Sequence, residues 1–331
     1  MNNSWSNTFI CSIPRDILFR LLPLSVLCCL FLDAKAQRIV WWNVENLFDC
    51  QHDSLKQDND FLPEGSYHWT KSRYWKKLDN LSRTIAAIAK DDAWPMIVGM
   101  CEVENDTVLR DLTRRSPLRM AHYAYVHEEG PDVRGIDVAM LYDSLQLRLL
   151  GHKAIRVPSA EHGYRPTRDI LHVWGLCPTL PDTLHIIIVH LPSRSGSGRN
   201  GEANRKLAVT SLCRLLKELE GKSVILMGDF NAEPGDKIFR SINKHLISLM
   251  PQSRKELRQA QGTYYFRNMW SFLDHILIST NMLSFVGKRV DIGRFTFLLT
   301  EKGTPWRTFQ GPVYKGGFSD HLPIWVDLLS R

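Results

Sequence analysis

The sequence is poor in cysteine, with seven in 331 residues, three of them within the first 29. It contains no CxxC pair and no cluster of histidine and cysteine, which excludes a structural zinc site with the usual ligand spacing. The four later cysteines allow three pairings and their spacing selects none, so they define no disulfide framework. One of these, Cys101, lies in an apolar run and is predicted to be a buried thiol. The four are Cys50, Cys101, Cys177 and Cys213.

The sequence also lacks an apolar run long enough to cross a membrane. Its longest run, residues 21–32, is well short of the roughly 20 residues that a spanning helix needs. Two arginines precede this run and the small-residue motif AKA follows it, a pattern typical of a secretory signal peptide. We therefore expect a signal peptide at residues 1–36 with cleavage near Ala36, and a secreted or periplasmic mature protein without a transmembrane anchor. A retained anchor is the alternative.

Internal repeats, long low-complexity tracts and long basic tracts are absent from the sequence. The hydrophobic fraction of 44% is that of a globular protein, so disorder is not the default. A net charge of +7 favours anionic partners such as phosphates, nucleic acid or a lipid surface, but no tract indicates extended binding to nucleic acid. One helix-like stretch carries four cations, which we interpret as a solvated face rather than a polyanion-binding surface: Lys71, Arg73, Lys76 and Lys77.

Seven short apolar, β-branched runs predict buried strands: RIVWWNV, PMIVGM, IDVAMLY, HIIIVHL, SVILMGDF, LDHILIS and PIWVDLL. Helix-like stretches at residues 70–90 and 202–221 lie between some of them, and this alternation predicts an α/β fold. Residues able to bind a metal or transfer a proton stand at the C-terminal ends of several runs. A rigid strand end presents such side chains to the loops at the rim of a sheet. These residues are Asn43, Glu102, His190, Asp229 and Asn231.

The motif GDFN directly follows an apolar strand. Asp229 and Asn231 are two positions apart and would point to the same side of an extended segment. Hydrolysis of a phosphate ester needs a carboxylate that orients or deprotonates water and a donor for the charge that develops on oxygen. An Asx-rich turn is the alternative for this tetrapeptide alone.

The motif SDH precedes the last apolar strand. In it Asp320 and His321 combine a carboxylate with an imidazole, which offers a metal ligand and a proton acceptor together. Asp274 lies in another apolar run, where an unpaired carboxylate is costly. We therefore predict that Asp274 orients His321 for the activation of water. The neighbouring His275 alternates to the other face and is interpreted as structural.

Seven motifs resemble, in order, the motif series of the endonuclease/exonuclease/phosphatase superfamily, and its secreted bacterial members most: WNVENLFD, CEVEN, RGIDVAMLYD, VHLPSR, GDFN, LDHILIS and SDHLP. They extend from Asn43 to His321. A site assembled from both ends of the chain implies a single catalytic domain, residues 37–331. The resemblance implies a four-layer α/β/β/α sandwich, in which two packed mixed β-sheets are flanked by helices.

The resemblance also implies roles for individual residues. It makes Glu102 the principal ligand of Mg²⁺ or Mn²⁺, with Asn43 and Asp320 close to the metal, and hard oxygen ligands suit these ions. His190 matches the position that stabilises the phosphate or assists the leaving group. Whether a carboxylate or an imidazole takes the proton of water stays open, as does the number of metal ions. The implied water-activating set is Asp229, Asn231, Asp274 and His321.

Basic and aromatic residues near the motifs are candidate substrate ligands. Arg134 is assigned to the rim of the site, and Arg307 lies shortly before the SDH motif. Arg194 lies in a glycine-rich loop that suits a phosphate, with a solvated loop as the alternative. Trp270 can stack on a base or wall the pocket, with core packing as the alternative. Arg168 is equally compatible with a charge at a strand edge.

These features predict a secreted, metal-dependent phosphoesterase in which water attacks phosphorus in line. A nuclease-like phosphodiesterase is favoured over a phosphatase for small phosphate esters and over a phospholipase C-like or sphingomyelinase-like enzyme. The lipid enzyme ranks last, because the sequence shows no exposed apolar loop. A binding module on an inactive scaffold would require losses among the motif residues, and none is missing. The predicted partner is nucleic acid or a small phosphate ester, and no stable protein partner is implied.

Overall fold

The computed structural model describes residues 37–89, 93–193, 198–251, 255–256, 261–287 and 289–329, with no side chains described for 198–200. The signal peptide predicted at residues 1–36 lies outside this part of the chain and stays a prediction. Arg194 also lies outside it.

Strands account for most of the regular structure in the described residues. They are β1 Gln37–Leu47, β2 Ile97–Val103, β3 Ala124–His127, β4 Asp137–Tyr142, β5 Arg148–Ile155, β6 Ile170–Leu176, β7 Leu184–His190, β8 Ser223–Asp229, β9 Ile247–Ser248, β10 Tyr264–Phe266, β11 Met269–Ser271, β12 Asp274–Ile278, β13 Asp291–Ile292, β14 Phe309–Gln310, β15 Val313–Tyr314 and β16 Ile324–Leu328. Each apolar run that the sequence analysis singled out forms one of these strands.

The strands build two six-stranded sheets, ordered β13-β16-β1-β2-β4-β3 and β5-β6-β7-β8-β12-β9. Both sheets are mixed, because β1 runs parallel to β2 and β7 runs parallel to β8, whereas the other paired neighbours are antiparallel. Two hairpins, β10-β11 and β14-β15, lie outside the large sheets. The prediction of two mixed sheets is confirmed.

The two sheets pack face to face around a buried apolar core. Alternation along β1 sends Trp41 into the core between the sheets, where Met227 of β8 also lies, and sends Trp42 to the outer face. Both indoles are fully buried. Each sheet is therefore covered on both sides, which explains why its central strands read as continuous apolar runs.

Helices cover the outer faces of the two sheets. They are α1 Lys71–Ile88, α2 Asp106–Arg110, α3 Gly198–Glu218 and α4 Phe239–Ile242, with single 3₁₀ or π turns at Asn59–Phe61, Asp111–Arg115, Pro117–Ala121, Ala160–His162, Thr280–Met282 and Thr296–Leu298. Leu81 of α1 packs against the first sheet and Leu212 of α3 against the second. This is the predicted α/β/β/α sandwich. None of the helices in the described residues combines the length and apolar character needed to cross a membrane.

The cysteines agree with the sequence prediction, whereas the basic residues of helix α1 do not. The four described cysteines are all free thiols, and Cys101 is buried as predicted. Lys77 departs from the predicted solvated face, because it is only 1% exposed, whereas Lys76 is exposed. The cations of α1 therefore do not share one solvated face.

Candidate active site

Strand register brings the polar strand ends together at one edge of the sandwich. Asp229 at the end of β8 pairs with His190 at the end of β7 and with Asp274 at the start of β12. In the facing sheet, Asn43 of β1 pairs with the residue before Glu102 of β2. Five strands from two sheets thus contribute to one site.

Asp274 and His321 form a buried pair. Nδ1 of His321 lies 2.7 Å from Oδ2 of Asp274, so this carboxylate has the partner that its position in an apolar run requires. Trp41 Nε1 donates to the other carboxylate oxygen at 2.8 Å, and Thr263 Oγ1 donates to Oδ2 at 2.6 Å. Burial alone would raise the pKa of Asp274, but His321 and these donors outweigh it and hold the pKa below its ordinary value. Asp274 is therefore a carboxylate that fixes the imidazole through Nδ1.

Asp229 lies on the other side of the same imidazole. Its Oδ2 is 3.9 Å from Nε2 of His321 and 3.7 Å from Nε2 of His190. Burial, reinforced by Asp274, raises the pKa of Asp229 to about 7. Burial opposes a charge on His321, but Asp274 and Asp229 outweigh it and hold the pKa of His321 well above its ordinary value. Asp229 and His321 are thus a coupled pair that can take up a proton near neutral pH.

His190 is a neutral imidazole at the end of β7. It is buried, and its Nδ1 has no hydrogen-bond partner within the described part of the chain. Burial and the nearby guanidinium groups of Arg168 and Arg134 hold its pKa well below the ordinary value. Nδ1 is also shielded from solvent. A ligand in the cavity that His190 lines would therefore meet the ring at Nε2, which a neutral imidazole can use in a hydrogen bond.

Asn43 connects the carboxylates of the two sheets. Its Nδ2 donates to Glu102 Oε1 at 3.2 Å and to Asp229 Oδ2 at 3.0 Å. The backbone N–H of Asn46 donates to the second Glu102 oxygen at 2.9 Å. The Asn43 amide nitrogen therefore holds Glu102 and Asp229 close to each other.

Backbone strain is concentrated at this site. Nine non-glycine residues have positive φ in the described part of the chain, and four of them belong to the site segments: Glu45 at 53°, Asn46 at 53°, Glu102 at 63° and Asn231 at 48°. Each such residue costs of order 1–3 kcal/mol and persists only where its surroundings impose it. The strain therefore accompanies the placement of the polar groups.

Glu102 and Asp320 line the same cavity, which has a volume of about 480 Å³. Each carboxylate oxygen of Glu102 accepts one described hydrogen bond. Asp320 has a weaker contact, because Arg307 Nη2 is 3.5 Å from its Oδ2. Lone pairs on both carboxylates are thus available to a ligand. The two carboxylates offer the oxygen donors that hard divalent cations prefer. Asn43 turns its NH₂ group towards Glu102, and its Oδ1 accepts from the Glu45 N–H at 3.0 Å.

A guanidinium pair forms the cationic wall of the cavity. Arg134 and Arg168 both line it, and both bind Asp132 Oδ2 at 3.0 Å. Burial alone would raise the pKa of Asp132, but the hydrogen bond from Arg134 and the charges outweigh it and lower the pKa to about 2. The sequence predicts Arg134 at the rim of the site. It does not predict Arg168 there, because the motif YRPTRDI gives no sign that the Arg168 side chain turns towards the cavity.

An aromatic hairpin forms another part of the cavity wall. Tyr264 and the half-exposed Phe266 of β10 line the cavity, and the Tyr264 ring lies 4.7 Å from the His321 ring. Trp270 pairs with the residue between them and so lies on the other face of the hairpin, where Arg294 covers its ring at 4.6 Å. The described contacts of Trp270 thus agree with the packing alternative. Tyr264 and Phe266 line the cavity in the position that was predicted for Trp270. Alternation within YYF places Tyr264 and Phe266 on one face of the strand, but it does not show that this face is turned towards the cavity.

Asn231 reaches the cavity by a different route from the one predicted. Its φ of 48° shows that the chain is not extended beyond Asp229, so simple alternation does not apply. The Asn231 N–H donates to Asp229 Oδ1 at 2.8 Å and its Nδ2 donates to Leu191 O at 2.9 Å, a turn that fits the Asx alternative. Both side chains nevertheless line the cavity.

Two further predicted residues have defined surroundings. Arg307 lies beside Asp320, with Nη2 also 3.4 Å from Tyr265 O. His275 is fully buried on the opposite face from Asp274, and its Nε2 lies 2.8 Å from Ala232 O, in agreement with a structural role.

Solved structures with this architecture come from several organisms. The human Nocturnin catalytic domain with bound sulfate is 20% identical, covering 89% of this chain and 95% of that chain, with a TM-score of 0.56. The Bacteroides thetaiotaomicron mannosyl-6-phosphatase is 16% identical, covering 88% and 99%, with a TM-score of 0.55. D. rerio TDP2 complexed with single strand DNA product is 16% identical, covering 89% and 100%, with a TM-score of 0.56. At these identities the likeness establishes the fold.

Curated protein sequences gave no match to this chain. The sequence profile of the Endonuclease/Exonuclease/phosphatase family, in contrast, matches residues 38–330, which include every described residue of the site. The chain therefore belongs to the endonuclease/exonuclease/phosphatase family.

Proposed function

We propose that this protein is a divalent-metal-dependent phosphoesterase that hydrolyses a P–O bond, with a phosphodiester as the favoured substrate. The observation that carries the proposal is the convergence of Asp229, His321 and His190 in one cavity with Glu102 and Asp320. Proton-transfer groups and oxygen ligands for a cation are the two requirements of phosphoester hydrolysis by water. The fold shared with a mannosyl-6-phosphatase and with TDP2 bound to a DNA product supports this chemistry.

Glu102 would be the principal ligand of the metal, with Asp320 and Asn43 close to it. A bound Mg²⁺ or Mn²⁺ supplies positive charge that neutralises the phosphoryl oxygens and the leaving oxygen. Arg134 and Arg168 line the same cavity and would bind the non-bridging oxygens of the substrate through charge-assisted hydrogen bonds.

The proton of the attacking water passes to the coupled pair of Asp229 and His321. Asp274 holds Nδ1 of His321, so the Nε2 side of the ring faces Asp229 and the cavity. Because the pair takes up a proton near neutral pH, it can accept one from water without a large energetic penalty. His190, which is neutral, is placed to hydrogen-bond a phosphoryl or leaving oxygen.

The test is hydrolysis of bis(p-nitrophenyl) phosphate by residues 37–331, with Mg²⁺ or Mn²⁺ and then with chelator. We expect metal-dependent release of nitrophenol that chelator abolishes, and a folded Asp229→Asn variant without activity. Comparable rates with and without chelator, or full activity of that variant, would contradict the proposal. A panel of DNA, RNA, phosphomonoesters and sphingomyelin then separates the nuclease from the phosphatase and the lipid enzyme.

Export is a separate part of the proposal, motivated by the N-terminal sequence alone. We infer that residues 1–36 are removed and that the mature protein is secreted or periplasmic. Expression of the full chain in a bacterial host, followed by N-terminal sequencing of the product, tests this. A mature N-terminus at Gln37 is expected, and an intact chain retained in the cytoplasm would contradict the inference.

A further inference from the structure

Two buried polar side chains of α1, Lys77 and Asn80, face the segment that precedes the SDH motif. We propose that Lys77 and Asn80 are positioning residues that hold residues 316–318, and through them Asp320 and His321, in the arrangement that the site requires. This inference rests on the proposed phosphoesterase function and concerns how that site is held together.

Direct hydrogen bonds connect the helix to the segment. Lys77 Nζ donates to Phe318 O at 2.6 Å and to Thr308 Oγ1 at 2.6 Å. Asn80 Nδ2 donates to the carbonyls of residues 316 and 317 at 3.2 and 2.7 Å. Residues three apart lie on one face of a helix, so one face of α1 binds three successive carbonyls. Both donors are buried, at 1% and 3% exposure.

The segment depends on these donors because it forms neither strand nor helix. The Phe318 N–H is used in a bond of 2.6 Å to Trp306 O. Gly317 passes so close to the same carbonyl that a Cβ atom there would lie 2.1 Å from it. A buried carbonyl without a donor is unfavourable. When Lys77 or Asn80 is removed, a carbonyl of the segment loses its donor. We therefore expect the backbone of residues 316–318 to shift, within the space that its close neighbours leave.

Residues 319–321 connect the held segment to the site. Ser319 Oγ donates to Asn43 O at 2.7 Å, and the His321 N–H donates to the same hydroxyl at 3.0 Å. The motif is therefore fixed to β1 on one side and to α1 on the other. Asp320 lies between these supports, and its contact with Arg307 is long, at 3.5 Å. The position of the Asp320 carboxylate therefore depends mainly on the backbone of residues 316–321 and less on contacts of its own side chain.

Thr308 joins α1 to β1 beneath the site. It accepts from Lys77 through its hydroxyl, and its N–H donates to Glu45 at 2.6 Å. Burial lowers the pKa of Lys77 to about 8, while Glu45, Asp320 and Glu102 favour its charged form. A buried ammonium is unfavourable without such partners, so the charge itself depends on the acidic groups of the site.

A second role for Lys77 predicts the opposite effect on metal binding. If Lys77 acted only as a positive charge near the carboxylates, its removal would strengthen the binding of a divalent cation. If it positions Asp320, its removal weakens that binding. Asn80 carries no charge, so its loss weakens binding under the positioning role alone.

The experiment compares Lys77→Met, Asn80→Ala and Thr308→Val with Lys76→Met, the matched change at the exposed neighbouring lysine. Free Mn²⁺ is measured by electron paramagnetic resonance during titration of each protein without substrate. Kinetics with bis(p-nitrophenyl) phosphate give kcat and KM, and hydrogen exchange reports the amides of residues 318–322. Circular dichroism and thermal melts establish that each variant is folded.

We expect Lys77→Met and Asn80→Ala to weaken Mn²⁺ binding and lower kcat by about 10- to 100-fold, the usual effect of removing a partner that orients a metal ligand. KM should change little, exchange at residues 318–322 should be faster, and Lys76→Met should match the wild type. If Lys77→Met does not fold, Asn80→Ala and Thr308→Val decide the question through the same measurements.

Folded variants with wild-type Mn²⁺ affinity, kcat and exchange would overturn the positioning role, and so would tighter Mn²⁺ binding in Lys77→Met. The proposed function fails differently, by a wild-type protein that neither binds Mn²⁺ nor hydrolyses any phosphoester. In that case faster exchange at residues 318–322 in the variants still supports the placement role, and unchanged exchange overturns it.

Discussion

Oδ2 of Asp274 and Nδ1 of His321 lie 2.7 Å apart, although 47 residues separate them in the chain. The carboxylate is fully buried and also accepts from Trp41 and Thr263, so its position is fixed from three sides. This leaves the Nε2 side of His321 to face Asp229. Asp274 and His321 thus resemble the orienting carboxylate and the base of a catalytic triad in which water is the nucleophile.

The Asp274–His321 pair should behave as one unit. We expect His321→Ala and Asp274→Asn each to lower kcat by about 10²- to 10⁴-fold, the contribution of a positioned general base. The double variant should be little worse than His321→Ala, because groups that act together are not additive. Steady-state kinetics on the three proteins test this. His275→Gln, at the adjacent histidine, is the control and should keep its kcat; additive losses in the double variant would argue against a unit.

Glu102 should set the affinity for the metal. Glu102→Gln keeps the shape of the side chain but removes the negative charge, so a higher Mg²⁺ or Mn²⁺ concentration should be needed for half-maximal activity, by about tenfold or more. Metal titrations of activity and of Mn²⁺ binding measure this. The control is Glu301→Gln, at an exposed glutamate that does not line the cavity described above. Equal metal requirements in both variants would remove Glu102 from the ligand set.

Arg134 should act on substrate binding rather than on the chemical step. Its side chain is 45% exposed at the cavity wall and is paired with Asp132. Loss of a charge-assisted hydrogen bond to phosphate costs about 1.5–3 kcal/mol, so Arg134→Met should raise KM by about 10- to 100-fold while kcat changes less. Inorganic phosphate should inhibit the variant more weakly. Arg114→Met, at an exposed arginine, serves as the control, and an unchanged KM in Arg134→Met would exclude the contact.

Gly317 should tolerate no side chain. An added Cβ would lie 2.1 Å from Trp306 O and 2.5 Å from Arg307 O, both backbone atoms. Gly317→Ala should therefore destabilise the protein by about 1–3 kcal/mol, as overpacking does, and should lower activity by displacing the segment before Asp320. Urea unfolding measures the first effect. Gly235→Ala, where a Cβ meets nothing within 4 Å, should be close to neutral; equal stability of the two variants would show that the segment adapts.

The His172–His185 contact should make the fold sensitive to acid. Nε2 of His172 lies 3.0 Å from Nδ1 of His185. Burial, reinforced by His185, lowers the pKa of His172 from 6.5 to about 4. Because the unfolded chain binds the proton more readily, His172 lowers the free energy of unfolding as the pH falls from 6.5 towards 4. The slope is at most about 1.4 kcal/mol per pH unit.

Urea unfolding of the wild type and His172→Gln between pH 7 and pH 4, in the presence of chelator, checks this effect. The difference in unfolding free energy should move in favour of the variant as the pH falls. His162→Gln, at an exposed histidine, should follow the wild type. Parallel pH curves for the wild type and His172→Gln would show that His172 does not titrate in this range.

The sequence by itself determined the strands and the polar residues at their ends. Continuous runs of apolar, β-branched residues are typical of strands that are buried on both faces, because this burial removes every side chain from water. The cost of a buried carboxylate was also enough to predict that Asp274 has a partner. These features are local in the sequence, so they predict the elements that carry the site but not its geometry.

Only the tertiary structure decided which side chains share the cavity. Lys77 was expected on a solvated face with Lys76, and its burial follows from the way α1 meets the segment before Asp320. Trp270 and Tyr264 belong to one hairpin, and only its register assigns them to opposite faces. Arg168 reaches the cavity through a bond to Asp132, 36 residues away. Hydrogen bonds between residues distant in sequence depend on how whole layers pack, and a local pattern of residues carries no information about that packing.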